Sequence, residues 1–597
     1  MSEAGLDRIT KDFIKKFMQA YEIEQVNENK DFEKFSVYCA VKQDYTAHLE
    51  GEDLDNLFVG SGSDTGIDGL GIIVENQLIE DIDEIDDIIG KKDNVQIVFI
   101  FVQSTTTKRF NPSKFRDFTI GVKEFFYDYA KPDQRKTKRR NANIDKKAKV
   151  ASQLLEKTSI MLERPVCKLY YFMGNDIENR LGINTDVVES EKESILLELN
   201  IFGRVDIEVR GTNYLHNLYR KTLAKPKVQI SFPRKVSLPQ IDDINASYMG
   251  ILPFSEFKKL IIDENSGNIR NVFEDNVRYF NEKFPTNRKI KETIENGNLD
   301  RFFILNNGIT IVTNKLTSSA DYITLEDYQI VNGCQTSNIL YQCRNYPGID
   351  NLYLTLKIIH TENQAIANDI TIATNNQTTV TYEALNSLLK FHKDLEIYYS
   401  SRAYTVEREQ IYLYYGRQEG KYERDINVEA KSRIISVMNQ AKYYAAMFLD
   451  VPYESSAFRA RIKKKIDEQI VFKEGQPFEP YYTSAVVHYE LHKYLKNSRN
   501  EQNEFNIYRF HILMLFKYLV LGAEVNNSAP EKIKDYCEKM ISVVQGKNKF
   551  VKIVTEAIEI IGRTLNTLPE QEGMNKTANF VQTIKAAAKS KYPQGMF

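Results

Sequence analysis

No stretch of this 597-residue chain stays apolar for long. Its most hydrophobic run, Ile97 to Val102, is far below the roughly 20 residues that cross a bilayer, so no transmembrane helix and no membrane partner are expected. The first residues, Met1 to Lys16, mix Glu, Asp, Arg and Lys with apolar side chains and lack the uninterrupted core of a signal peptide, which points to a cytoplasmic protein. Cysteine is scarce. Cys39, Cys167, Cys334, Cys343 and Cys537 show no short repeated spacing, which excludes a disulfide scaffold and a zinc cage and leaves reduced, structural thiols. Charge of one sign is missing too: the net charge of −2 gives no global attraction to nucleic acid, so any such contact must come from local basic patches.

What is present is ordinary for a folded protein, with 42% hydrophobic and 27% charged residues. At roughly 100–200 residues per domain, the length calls for several domains. From Leu6 to Val41 the chain reads as helical, with Phe13, Phe17 and Tyr21 at four-residue spacing and Phe32, Phe35 and Cys39 at three to four. Glu33 lies in the second of these helices, off its apolar stripe. Leu70 to Val74 and Val95 to Val102 read as buried strands, and the acidic stretch Glu80 to Asp87 between them as a solvated loop or helix. A helix follows with Phe115, Phe118, Val122 and Phe125 on one face. Lys131 to Lys149 then carries nine Lys or Arg residues, among them Arg135, Lys136, Lys138, Arg139 and Arg140. That segment is either a mobile solvated loop or a flap that contacts phosphates.

Further strands at Leu169 to Met173 and Val205 to Val209, around a helix near Glu191 to Leu199, complete an α/β domain over 1–223. Ala224 to Gln240, rich in Pro and Lys, reads as a linker or an edge segment. A second mixed α/β domain is expected over 224–435, with strands at Phe302 to Leu305, Ile309 to Val312 and Leu352 to Ile359 and helices near Asn338 to Cys343 and Tyr382 to Tyr398. The remainder, 436–597, has helical spacing (Ile541, Val544, Val551, Val554, Ile558) and is expected to be all α. Helical domains commonly serve as partner surfaces, and a homo-oligomer is expected. His488 and His492 stand one helical turn apart, but the acid between them is Glu490, off the histidine face, so they read as a surface pair rather than a metalloprotease motif.

The chemistry concentrates between Ser63 and Lys108. A Ser-Asp-Thr-Gly-Ile-Asp-Gly turn places Asp64 and Asp68 at the mouth of a strand, and Gln103-Ser104-Thr105 ends the most hydrophobic strand. Strand alternation puts Phe99, Phe101, Gln103 and Thr105 on one face, so Asp68, Gln103 and Thr105 converge if the two strands are neighbours. Hard oxygen donors of this kind suit Mg2+ or Mn2+, and a nuclease needs a cation besides, to stabilise charge on the phosphate. The arrangement resembles the PD-(D/E)XK restriction-type nucleases, in which a helical Glu, an Asp at the start of a strand and a Glu-x-Lys or Gln-x-Lys on the next strand build the site. Glu33, Asp68 and Gln103 match in type and order, and Thr105 stands where the lysine belongs. Lys108, three residues on, is the candidate replacement. The resemblance implies Asp68, Asp64 and Gln103 as metal ligands and Asp68, Gln103, Lys108 and Glu33 as the catalytic set.

A second group of motifs lies in the middle of the chain: Arg301-Phe-Phe-Ile-Leu-Asn306-Asn307-Gly308, Gln329-Ile-Val-Asn332-Gly333-Cys-Gln335-Thr336 and Thr374-Asn375-Asn376-Gln377-Thr378. Amide and hydroxyl side chains both donate and accept hydrogen bonds, which suits reading bases, sugars or nucleotides, and Arg278, Arg301 and Arg408 could clamp phosphate. Equally, Asn-Gly pairs are strong turn formers whose amides pin loops together. These motifs, with Phe273 to Phe280 and Val406-Glu407-Arg408, resemble the AIPR family, named for abortive infection phage resistance. The resemblance implies a bacterial anti-phage protein. Two functions follow: a Mg2+-dependent endonuclease acting on nucleic acid, DNA in the first instance, with a sensing middle domain; or an inactive nuclease fold that binds nucleic acid, nucleotide, a phage component or a second defence protein.

Overall fold

The computed structural model describes residues 5–45, 47–60, 65–75, 77–90, 95–107, 109–131, 140–158, 164–175, 185–223, 226–263, 269–270, 272–273, 285–374, 382–417, 422, 428, 430–497, 503–522, 530–567 and 574–597. Of the sequence-derived site residues, Asp64, Lys108, Arg135, Lys136, Lys138, Arg139, Arg278, Asn376 and Gln377 lie outside this set.

The chain begins with helices α1 (Arg8–Ala20), α2 (Glu28–Val41) and α3 (Gly51–Leu57). Asp7 caps α1 through the amides of Ile9 and Thr10, and Asn27 caps α2 through that of Lys30, satisfying amides that a helix start leaves open. Strands β1 (Gly69–Val74) and β2 (Gln77–Leu78) form a hairpin, followed by α4 (Asp83–Ile89), β3 (Ile97–Thr105), α5 (Pro112–Ala130), α6 (Ala142–Thr158), β4 (Val166–Met173), α7 (Thr185–Leu199), β5 (Arg204–Arg210) and α8 (Thr212–Leu223). The sheet order is β2-β1-β3-β4-β5, with β1 antiparallel to both neighbours and β3, β4 and β5 parallel.

Alternation along β3 divides the core. Phe99 and Phe101 join the cluster beneath α5, α6 and α7, whereas Val98, Ile100 and Val102 join the one beneath α1, α2 and α8. A strand buried on both faces has to be apolar throughout, which is why Ile97 to Val102 is the most hydrophobic run.

The second sheet is built from β6 (Lys227–Ser231), β7 (Lys235–Ser237), β8 (Ala246–Pro253), β9 (Ile309–Ser319), β10 (Tyr322–Asn332) and β11 (Tyr353–His360) in the order β6-β10-β9-β11-β8-β7. Helices α9 (Phe254–Ile261), α10 (Pro285–Glu295), α11 (Phe302–Leu305), α12 (Cys334–Gln342) and α13 (Gln364–Thr374) accompany it. The Pro- and Lys-rich segment supplies both edges, β6 and β7, where prolines and lysines block further pairing. Phe302–Leu305 is helical, not the expected strand. Its four apolar residues fit either element, and a single turn buries Phe302 while leaving Ile304 and Leu305 exposed.

The C-terminal body contains α14 (Tyr382–Ser400), short strands β12 (Tyr404–Val406), β13 (Glu409–Ile411), β14 (Tyr414–Gly416) and β15 (Ile434–Ser436), and helices α15 (Val437–Phe448), α16 (Pro452–Ala457), α17 (Arg459–Asp467), α18 (Glu479–Asn497), α19 (Arg509–Leu521), α20 (Pro530–Gln545), α21 (Lys547–Thr567) and α22 (Ala578–Lys591). Its core runs from Phe391 to Ala588, so α14 and the strands after it share a core with the helices rather than with the second sheet. None of the described helices is long and apolar enough to cross a membrane.

The N-terminal domain and this helical body meet through buried polar contacts. Arg433 reaches Glu22 and Glu409 at 2.8 Å each, and Tyr489 and Ser432 donate to Glu22 at 2.5 Å. Although burial opposes it, these hydrogen bonds and the Arg433 charge hold the Glu22 carboxyl below its usual range. The acidic stretch expected to be solvated is an anchor: Asp81 and Asp83 bind Lys576 at 2.6 and 2.5 Å, and Glu80 takes the buried Lys147 at 2.8 Å.

Candidate functional site

The register that pairs Gly69 with Val102 sets Asp68, one residue before β1, beside Gln103 at the end of β3. The two strands are neighbours, as convergence required. Asp68 is 6% exposed. The backbone amide and the hydroxyl of Ser104 donate to its Oδ2 at 2.6 and 3.1 Å. Burial first, and then the negative charge of Glu33, push the Asp68 carboxyl up to about 7, against the pull of the Ser104 bonds and of Lys30.

Glu33 approaches from α2. The Lys30 ammonium donates to Glu33 Oε2 at 2.5 Å and to the carbonyl of Gly60 at 3.0 Å. Gly60 backs directly onto Asp68: its amide and that of Val59 donate to the Asp68 carbonyl, and a Cβ there would lie 3.4 Å from Asp68 Oδ1. Gly69 has a different task from the one its place in a glycine-rich turn suggests. It is extended inside β1, and its lack of a Cβ admits α2, since that atom would fall 2.2 Å from Val37 Cγ2. Gly66 does make the tight turn, at φ +78°, and α5 covers it through Gly121, where a Cβ would meet the Thr65 carbonyl at 2.1 Å.

Gln103 donates from Nε2 to the Ser104 carbonyl at 3.1 Å, while its buried Oε1 has no hydrogen-bond partner among the described residues. A buried amide oxygen in that state is costly unless something else occupies it. Thr105 exchanges a hydrogen bond with Thr107 at 3.0 Å. Among the described residues no group of three or more His, Cys, Asp or Glu side chains could hold a metal ion. The oxygen donors nearest to one another are the Asp68 carboxylate, which feels the charge of Glu33, and the Gln103 amide set opposite it by the strand register, and Mg2+ characteristically uses one or two carboxylates with waters and substrate oxygens. Ser104 and Lys30 were not singled out from the sequence. Ser104 carries no motif signal, whereas Lys30 and Glu33 at helical i,i+3 spacing were a readable one.

Arg140, the described member of the basic group, is committed elsewhere. Its guanidinium is 8% exposed and binds Asp128 at 2.6 Å and Asp145 at 3.3 Å, so it ties α5 to α6 rather than facing a phosphate.

In the second sheet two Asn-Gly turns meet at one end of the β9–β10 pair. Gly308 (φ +82°) precedes β9, and Gly333 (φ +87°) follows β10 and caps α12, with its Cα so close that a Cβ would lie 2.7 Å from Ile309 Cγ1. Asn306 folds back on the Phe302 carbonyl at 2.9 Å, and Asn332 donates to the Thr374 carbonyl at 2.9 Å, which joins the third motif to the other two. Asn307 sits on the first of these turns, Gln335 and Thr336 in the first turn of α12, and the exposed Arg301 just ahead of α11. The amides seen here pin turns together.

A family model described as AIPR protein matches residues 273–588, more than half of the chain. The chain belongs to the AIPR family. No curated protein and no solved structure matches it. Membership of AIPR is consistent with an abortive-infection role against phage, and the matched region continues well past residue 435 into the helical body.

Within this AIPR region Val406-Glu407-Arg408 is the tip of the β12–β13 hairpin, with Glu407 and Arg408 at φ +50° and +77°. Glu407 pairs with Lys547 at 2.7 Å, so Arg408 belongs to the helical body rather than to the Asn-Gly turns. His488 and His492 are not a surface pair. His488 is 5% exposed and stacks on Tyr443 at 3.8 Å, and burial drives its imidazole well below the usual range. His492 faces Asp55 of α3 at 3.5 Å. The helical spacing was right, but Tyr443 and Phe510 of the same helical body cover His488, and α3 of the N-terminal domain packs on His492.

Proposed function

We propose that this AIPR protein is a bacterial anti-phage defence protein whose N-terminal domain is a Mg2+- or Mn2+-dependent endonuclease of the PD-(D/E)XK type, acting on DNA, with the AIPR region as its sensor of a phage component or a second defence protein. The observation that carries the reading is the buried Asp68 carboxylate beside the unpartnered Oε1 of Gln103, with Glu33 approaching from α2. Type, order and position agree with that superfamily: a helical Glu, an Asp at the start of β1 and a Gln on the neighbouring β3, in a sheet sandwiched by helices.

The donor chemistry fits a hard divalent cation, which Asp68, Gln103 and Glu33 would hold, with Asp64 as a further ligand. Such an ion supplies Lewis acidity toward a phosphate and offsets the repulsion between the two carboxylates. The chain's own part is to position. Ser104 fixes one Asp68 oxygen, Gly60 and Gly69 allow β1 and α2 to close on it, and burial keeps bulk water from screening the charges. The decisive experiment incubates DNA and RNA with Mg2+ or Mn2+ and compares wild type with Asp68→Ala. Cleavage by wild type alone supports the proposal, and equal behaviour of the two eliminates it. Thr105, in the lysine position, favours the second reading, an inactive nuclease fold that binds without cutting.

A further inference from the structure

In a nuclease-type site of two carboxylates and an amide the charge comes from a lysine on the second strand, and the described part of β3 has Thr105 in that place. The first turn of α2 lies over that gap. Asn29 accepts a hydrogen bond from Thr106, the residue after Thr105, at 2.5 Å, and the next residue along the helix is Lys30. Its ammonium bridges two elements: Glu33 of its own helix at 2.5 Å and the carbonyl of Gly60 at 3.0 Å, the residue packed on Asp68. An ordinary surface i,i+3 pair would contact only its helix. Here the Lys30 side chain is 40% exposed and Glu33 only 19%, so the cation reaches inward to a carboxylate more deeply placed than itself while keeping access to solvent and substrate.

We propose that Lys30 supplies the positive charge of the nuclease-type site, presented from helix α2 in place of a lysine on β3. The proposal rests on the nuclease reading above and assigns the role that Lys108 was expected to fill. A four-carbon stem ending in a compact ammonium can leave Glu33 and turn to a phosphate oxygen without moving the helix. With the ammonium on Glu33, a divalent cation has to compete for that carboxylate. Lys30 therefore weakens metal binding in the absence of nucleic acid and strengthens cleavage once a phosphate is in place, two effects of opposite sign that a purely structural lysine would not produce.

The test uses the full chain as wild type, Lys30→Met, Lys30→Arg, Lys108→Met and Asp68→Ala. Two quantities are read at pH 8: the Mn2+ dissociation constant by titration calorimetry, and single-turnover cleavage of DNA. Lys30→Met should bind Mn2+ at least about threefold more tightly and cleave roughly a hundredfold more slowly, the size of a lost electrostatic contact at a reacting centre. Lys30→Arg keeps the charge and should restore part of the rate, which guards against a folding defect in the Met variant. Lys30→Met cleaving like wild type, or binding Mn2+ with unchanged affinity, overturns the assignment, as does loss of cleavage in Lys108→Met alone. If wild type cleaves and Asp68→Ala does not, such a result removes Lys30 and leaves the nuclease intact. If wild type cleaves nothing, the nuclease reading falls and the assignment falls with it.

Discussion

Replacing Asp68 by Asn should make the metal-free protein more stable and, on the proposed nuclease reading, abolish metal-dependent cleavage. The amide keeps an oxygen for the Ser104 bonds, fits the same space and carries no charge next to Glu33. The carboxyl of Asp68 moves from an ordinary 3.8 to about 7, and at about 1.36 kcal/mol per pH unit the ionised form costs the fold at most about 4 kcal/mol above pH 7. Local relaxation and water entry reduce this, so a gain of about 1–3 kcal/mol is expected at pH 8. The sign follows from the raised value. A carboxyl that prefers its proton in the folded state contributes stability below pH 3.8 and loses it as pH rises through 7, so the advantage of Asn is greatest above pH 7 and vanishes toward pH 4. Urea midpoints of the first unfolding transition at pH 8, 6 and 4.5, in chelator, measure it. Added Mn2+ should stabilise wild type at pH 8 and leave Asp68→Asn unmoved. A difference between the two proteins that is flat across this pH range would refute the argument, because it would mean that Asp68 is not held protonated by its surroundings.

Two other substitutions test the frame around the sites. Gly333→Ala puts a Cβ at φ +87° and within 2.7 Å of Ile309, and should cost about 1–3 kcal/mol, read as a lowered thermal midpoint. Glu22→Gln removes the charge that Arg433 faces across the junction of the N-terminal domain and helical body, and should cost about 1–3 kcal/mol with faster proteolytic release of the N-terminal domain. Because the Glu22 carboxyl is held below its ordinary 4.5, wild type keeps that contribution above this pH and loses it as pH falls further, so the two proteins should converge in acid. Convergence at neutral pH instead would mean that the junction gains nothing from the pair.

The first domain was legible because its signals are local. Short, wholly apolar runs marked β1 and β3, the apolar repeats marked α1 and α2, and a polar residue before one strand and after the other had one simple way to converge. What escaped the sequence depends on contacts between distant segments. Ser104 became the partner of Asp68 only through the β1–β3 register. Gly69 looked like a turn glycine because the helix that needs its bare Cα is over thirty residues earlier. Arg140 looked like one more basic residue in a charged run until Asp128 and Asp145 were brought to it. The same limit applies to α14, whose apolar face at Phe391 and Leu395 says that it packs but not on which body.

The Asp68 site and the AIPR region, separate signals in the sequence, are mechanically joined in the fold. Helix α3 is gripped by the helical body at several points: Glu50 accepts from the Ser436 amide at 3.0 Å and the Tyr443 hydroxyl at 3.1 Å, Asp55 binds Lys496 at 2.8 Å, and Glu52 pairs with Arg509. Residues 436, 443, 496 and 509 all belong to the family-matched region. Directly after α3, Phe58 bridges to Gly69, and the amides of Val59 and Gly60 hold the Asp68 carbonyl at 3.0 and 3.1 Å. Gly60 in turn gives its own carbonyl to Lys30. The segment from Glu50 to Gly60 thus has one end clamped by the AIPR region and the other built into the wall of the Asp68 site. A displacement of the helical body relative to the first sheet cannot leave both ends in place, because so short a segment has no slack loop in its middle to absorb it. The geometry at Asp68 is therefore set by two domains, and a fragment ending near residue 223 would lack the contacts that fix α3.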